Sequence, residues 1–216
     1  MKVISIIFSF IIIIVMSGCK PDKLEIEIYT SDIESASDGE IVEVPLRASF
    51  GLLGEDEENQ LSLAKSIALK YMPSDSEIEI SEGDFGKVMT VVSSIPLGSN
   101  SALNQFLQQN PRVAKIVVEN GVITLKQTET LTKLDNELSD INFMLGAKLP
   151  ASNTAFRIMS DSKGKVNVSA TAVFSENKPY LHFSKDIKKR KSVVIDFKGG
   201  DGSVYSEIQP IFNVKF

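Results

Sequence analysis

The sequence predicts an α+β fold in which N-terminal strands and two to three helices precede a C-terminal antiparallel β-meander. Three observations carry this. Leu24-Glu25-Ile26-Glu27-Ile28-Tyr29 alternates apolar and charged residues as a half-buried strand does. Leu131, Leu134, Leu138, Ile141 and Leu145 recur at spacings of three and four, the period of a helix face. Beyond Pro150-Ala151-Ser152-Asn153 the chain turns to short strand-like runs broken by turn residues. Residues 24–149 form the α+β region and 150–216 the meander, the two packed as one unit.

Residues 31–39 read as a polar connection, and Glu40 to Arg47 as a second strand, hairpin-paired with the first; Pro45 points to an edge or a bulge. Gly54-Glu55-Asp56-Glu57-Glu58 opens a helix, because acidic residues suit the positive end of a helix dipole; Leu61, Ala64, Ala68 and Tyr71 continue it and Pro73 ends it. Strands follow at 77–80 and 87–92. A short helix from Ser101 to Gln109 takes Asn100 as its cap, with Leu103, Phe106 and Leu107 on one face and Pro111 beyond. Asn120-Gly121 between Val113–Val118 and Val122–Leu125 is the dipeptide best suited to a type I′ hairpin turn. The leucine stripe is expected to pack in the core, with Gly146 ending its helix. The meander strands are expected at 155–160, 166–174, 180–183, 192–197, 204–208 and 211–216. Their loops are Ser162-Lys163-Gly164, Glu176-Asn177-Lys178-Pro179 and Gly199-Gly200-Asp201-Gly202.

Ahead of the first strand, Lys2 precedes a run of 14 residues from Val3 to Met16 with no charge. A membrane-spanning helix needs ~20 apolar residues, so this run fits a cleaved export signal. It leads into Ser17-Gly18-Cys19, and Val15-Met16-Ser17-Gly18-Cys19 resembles the lipobox of bacterial lipoproteins: apolar, small, Gly or Ala, then cysteine. The resemblance implies cleavage between Gly18 and Cys19 and acylation of Cys19, leaving residues 1–18 as the signal peptide and 19–23 as a lipidated tether. The partner it implies is a lipid bilayer, held through Cys19, in the cell envelope. Lys20 stands where the class carries an aspartate for inner-membrane retention, so the resemblance favours the periplasmic side of the outer membrane in a Gram-negative cell. Cys19 is the only cysteine, which leaves the mature chain without a disulfide.

Cleavage leaves 198 residues and removes Lys2, so the net charge moves from −5 to −6. An acidic chain is poorly suited to phosphate backbones, and nucleic acid is excluded as the main partner. With no tryptophan there is no obvious stacking platform.

The residues point to no catalytic, cofactor or metal site. His182 is the only histidine, which excludes multi-histidine metal centres; in Tyr180-Leu181-His182-Phe183-Ser184, Leu181 and Phe183 are expected to face the core and His182 the solvent. Ser62-Leu63-Ala64-Lys65 has the S-x-x-K spacing, and Ser175-Glu176-Asn177 and Lys198-Gly199-Gly200 follow in the order of penicillin-recognising enzymes. The spacing also fits Ser160–Lys163, and the last motif lacks its hydroxyl residue, so it carries no assignment. The acidic run at 55–58 lacks the turn glycine of a calcium loop, and Gly199–Gly202 is a single copy of a motif that binds calcium only when stacked. Lys185, Lys188, Lys189, Arg190 and Lys191 form the one basic cluster, a loop suited to anionic head groups or an acidic partner. The expected function is a lipid-anchored, non-catalytic binding or accessory module for another envelope component, with an envelope protein as the partner; an envelope hydrolase with a serine or acidic site, or a lipid or small-ligand carrier, is the alternative.

Overall fold

The computed structural model describes residues 23–52, 57–83, 86–141, 147, 149, 153–198 and 211–216. Its strands are β1 (Lys23–Tyr29), β2 (Val42–Leu52), β3 (Glu77–Gly83), β4 (Gly86–Gly98), β5 (Ala114–Glu119), β6 (Val122–Gln127), β7 (Thr154–Met159), β8 (Val166–Ser175), β9 (Lys178–Ile187), β10 (Ser192–Phe197) and β11 (Ile211–Lys215). Four short helices join them: α1 (Thr30–Ser37), α2 (Glu57–Lys70), α3 (Asn100–Gln109) and α4 (Glu129–Ile141).

Nine strands close into a barrel in the order β10-β7-β1-β2-β4-β5-β6-β11-β8, while β3 hangs on β4 and β9 on β8. This overturns the expected α+β arrangement with a C-terminal meander. β7 lies beside β1, parallel to it, from Leu24↔Thr154 to Tyr29↔Met159. β10 lies between β7 and β8, and β11 between β6 and β8. A meander would pair neighbours in sequence; here strands from both halves of the chain share one ring. Alternation marks each strand but says nothing of which distant strand it meets.

The ring is filled. Leu24, Ile26 and Ile28 of β1 point inward beside Phe156 and Ile158 of β7, all 0–2% exposed. Phe156 stacks at 5.0 Å on Phe212 of β11 and edge-on at 6.0 Å on Phe197 of β10, so one aromatic cluster ties three strands of the closing side. Among the described residues closure runs through one backbone bridge, Asp196↔Phe174, supported by Lys198, which donates to Asn177 at 3.3 Å and lies over the Phe174 ring.

Two local features shape the ring. Asn120 and Gly121 have φ of +53° and +76°, the type I′ turn expected for them. A β-carbon on Gly121 would meet the Val214 carbonyl oxygen at 2.7 Å, so β11 docks against this turn only because residue 121 is glycine. Ala172 in β8 has φ of +53°, rare for a residue with a β-carbon. Inward positions in β8 are even-numbered before it (166, 168, 170) and odd-numbered after it (173, 175). The bend at Ala172 thus turns the strand toward the closing bridge.

Residues 31–39 are not a plain connection: Thr30–Ser37 is helix α1, which touches β1, β2, β4 and β5 and so lies across one mouth of the barrel, with Ile33 and Ala36 in the core. Gly39, at φ of +98°, ends it in a Schellman motif, with Glu40 N–H on the Ser35 carbonyl and Gly39 N–H on that of Ala36. The cap of α3 is Ser99 and not Asn100; the Ser99 hydroxyl accepts from the Ala102 N–H at 3.3 Å. α3 covers the outside of β4 and β5 with Leu103 fully buried. Leu131 and Leu134 of α4 are buried, Leu138 and Ile141 half-buried, and α4 packs on α2 through Glu137, which pairs with Lys70 at 2.7 Å and accepts from the Tyr71 hydroxyl. The expected strand at 204–208, Leu145, Gly146 and Gly54–Asp56 lie outside the described residues.

Candidate functional site

The outer surface is broken where β1 and β2 part company. Their ladder runs from Lys23↔Ser49 to Ile26↔Leu46 and stops there; β1 continues along β7 and β2 along β4. Pro45 is the first residue of β2 past the ladder. Having no N–H, it suits a position with no neighbour on one side. The expectation of an edge is corrected: β2 lies inside the sheet, paired with β4 along its length and with β1 over Leu46–Ser49.

Two grooves open there and share Pro45 and Val92, so they form one trench across the barrel wall. The first, of about 340 Å³, is lined by Glu25, Glu27, Arg47 and Arg157 above the apolar floor. The second, of about 410 Å³, is lined by Glu43, Pro73, Asp75, Ser93, Ser94 and Arg112. Arg112 anchors it. Its side chain is 16% exposed, Nη2 pairs with Glu43 at 3.0 Å, Nη1 donates to the Pro111 carbonyl at 3.1 Å, and the guanidinium lies over Phe106. Its buried Nε has no hydrogen-bond partner among the described residues. The Ser94 hydroxyl donates to the second oxygen of Glu43 at 3.0 Å, and Ser93 and Ser76 share a hydrogen bond of 2.8 Å. Arg157 and Glu27 face each other at 3.8 Å in the first groove. The trench is therefore walled by paired charges and hydroxyls, a surface that offers donors and acceptors at fixed positions.

A second polar cluster lies at the α1 mouth. The Asp161 carboxylate accepts from the Thr30 hydroxyl at 2.8 Å, the Ser31 hydroxyl at 2.5 Å and the Ser31 N–H at 3.0 Å, capping α1 from the end of the adjacent strand β7. Burial pushes the Asp161 carboxyl up, but these hydrogen bonds together outweigh it and hold the group below the ordinary range. Asp32, which accepts from the Tyr29 N–H at 2.8 Å, is shifted the other way: burial raises it, and the Asp161 charge adds to the rise. Ser160 is buried beside them, its hydroxyl without a partner among the described residues.

The basic cluster divides. Lys185 sits in β9, paired with Glu176 at 2.9 Å. Lys188, Lys189, Arg190 and Lys191 form the exposed turn between β9 and β10. His182 is exposed as expected, but Leu181 does not face the core: it is 75% exposed, while Phe183 is buried. β9 has β8 as its only strand neighbour among the described residues, and only Phe183 and Ile187 turn inward. Ser62 is exposed on α2, its carbonyl accepting from Ser66, whereas Ser175 and Lys198 stand at the closing seam. Gly18, Cys19 and Gly199–Gly202 lie outside the described residues.

Sequence reasoning missed Arg112, Glu43 and Asp161, whose roles come from contacts between residues 69 and 130 or more apart. It also missed Lys115, which is held by Asn100 and Asn104 of α3; burial and then Lys126 push its amine down. Among the described residues no group of His, Cys, Asp and Glu is placed to hold a metal ion, and no helix is long and apolar enough to cross a membrane. No protein-family model, curated protein or solved structure matches the chain at a significant level.

Proposed function

We propose that the chain is a lipid-anchored envelope protein that works as a non-catalytic binding module, its partner lying in the trench at the β1–β2 split. The observation that carries this reading is the chemistry of the trench wall. Arg112 and Glu43, and Arg157 and Glu27, engage each other in place of a reacting centre. A nucleophile needs a base beside it; the carboxylate that accepts from Ser94 is already held by Arg112, and among the described residues neither His nor Lys lines the grooves. The lipid anchor rests on Val15-Met16-Ser17-Gly18-Cys19 following an uncharged run.

The test is photo-crosslinking in cells from a reactive residue placed at Val92, with one at Leu181 as the control surface. A specific adduct from Val92 that is lost in Arg112→Gln supports the reading; equal adducts from both positions overturn it. Radiolabelled palmitate is expected to enter the parent chain and not Cys19→Ala, and a parent chain that takes up none removes the anchor. The competing reading is a serine hydrolase, for which Ser94 would be the trench hydroxyl to test. Labelling of Ser94 by a fluorophosphonate, abolished in Ser94→Ala, would establish it.

A further inference from the structure

The turn between β9 and β10 is built and not merely exposed. Lys191 N–H donates to the Lys188 carbonyl at 3.0 Å, Arg190 N–H to the Ser160 carbonyl at 2.6 Å, and Ser160 N–H to the Lys191 carbonyl at 2.9 Å. These bonds fasten the turn to the end of β7. Arg190 has φ of +63° at the third position of the turn, where glycine or asparagine sits without strain. A flexible basic tail would supply the same charges at no conformational cost. Keeping an arginine in a strained, bolted turn is the pattern of a functional surface. Lys188, Lys189, Arg190 and Lys191 form no ion pair among the described residues, and the nearby Asp161 is taken up by Thr30 and Ser31.

The registers fix where the turn points. Ser192, the residue after it, lies opposite Met159, which lies opposite Tyr29, whereas Lys23 is at the other end of β1, one residue before that ladder begins at Leu24. Six steps of strand at ~3.3 Å, tilted as barrel strands are, raise the turn about 15 Å along the barrel axis above Lys23. Exposed charges are largely screened beyond ~8–10 Å. With the tether entering at Lys23, which rests on the anchor reading above, the turn stands at the opposite end of the barrel, farther from the tether's entry point than a screening length.

We propose that Lys188, Lys189, Arg190 and Lys191 form a docking surface for an acidic segment of another protein, presented away from the anchoring membrane. A fixed set of four cations suits fixed carboxylates on a folded partner, because preorganisation lowers the cost of binding. The membrane surface is the competing source of negative charge.

The test uses the full acylated chain in nanodiscs of zwitterionic lipid, with a fluorescent glutamate-rich decapeptide as probe. The proposal expects salt-sensitive binding that weakens about fivefold for each cation removed. Arg190→Lys is expected to retain the affinity. Arg190→Gly is expected to raise the melting temperature by about 3 °C while weakening the probe, a split that a structural role would not give. Unchanged binding in Lys188→Glu with Lys189→Glu, or in Arg190→Gly, overturns the proposal. So does tighter binding of unanchored Cys19→Ala protein to vesicles of about one-third phosphatidylglycerol through the same residues. Absence of palmitate from the parent chain defeats the anchor alone, since the decapeptide arm still reads the turn; loss of the decapeptide arm with acylation intact defeats the turn alone.

Discussion

Replacing Gly121 by alanine tests barrel closure at a single atom. Two costs add at this position. The backbone there has φ of +76°, which costs an alanine ~1 kcal/mol relative to glycine. The new β-carbon would also lie 2.7 Å from the Val214 carbonyl oxygen, a backbone atom that moves only if β11 moves. Moving β11 strains the bond from Val214 N–H to the Gly121 carbonyl, now 2.8 Å, worth about 1 kcal/mol, and loosens the packing of Phe212 behind it. The expected loss is about 3 kcal/mol, or a fall of roughly 6–12 °C in Tm for a chain of this size. Gly39 supplies the control: its φ is +98°, yet a β-carbon there meets nothing within 4 Å, so Gly39→Ala should cost only the ~1 kcal/mol of conformation. Urea unfolding followed by circular dichroism gives both values with a common slope. Losses equal to within about 0.5 kcal/mol would mean that β11 does not approach the 120–121 turn, and the ring would not be joined at β6–β11.

Ala172→Gly removes the cost of a β-carbon at φ of +53° and should stabilise the chain by about 1 kcal/mol in the same unfolding assay; a loss would mean that the bend is not what the alanine resists. Phe156→Ala, in a side chain 0% exposed and stacked on Phe197 and Phe212, should cost about 4 kcal/mol and lower near-ultraviolet dichroism as the aromatic cluster loosens. Asp161 is held below the ordinary aspartate range, so the stability it supplies is present above ~3.9 and lost as pH falls through its folded value. Asp161→Asn should therefore be weaker than the parent chain at neutral pH, by about 1–2 kcal/mol for a lost helix cap, and converge with it in acid. Asp32 is shifted upward, so its charged form costs stability at neutral pH and the cost disappears below ~3.9; Asp32→Asn should have the opposite sign, read by the same pH series.

What was legible in the sequence was local. Alternation in Leu24–Tyr29 and the Asn120-Gly121 dipeptide give β1 and the β5–β6 hairpin, because both depend on residues a few positions apart. The same logic fails at α1, whose apolar face is only Ile33 and Ala36 and whose best signal, Gly39 in a Schellman position, reads equally as a turn. It fails again at Leu181, where alternation predicts a buried residue but β9 has left the ring and only Phe183 and Ile187 find a core. The site was least legible. Val113-Ala114-Lys115 reads as a strand while Arg112 beside it is an unremarkable basic residue, until Glu43 arrives from 69 positions away. Pro45 did carry a true signal of a missing neighbour, yet its meaning, a split between two interior strands, depends on a β7 that pairs with β1 from 130 residues downstream.

That long-range pairing bears on the anchor. β1 is the strand nearest the proposed tether, and it is gripped on both flanks, by β2 over Lys23–Ile26 and by β7 over Leu24–Tyr29. A pull on Lys23 acts along the strand and so across its hydrogen bonds, which must yield together and not one at a time. Leu24, Ile26 and Ile28 would have to leave the core in the same event. An edge strand such as β9, with one neighbour, would peel. If the proposed tether is there, its place on an interior strand would let a chain with no disulfide hold its barrel, and the turn at the far end, against a load applied at the membrane.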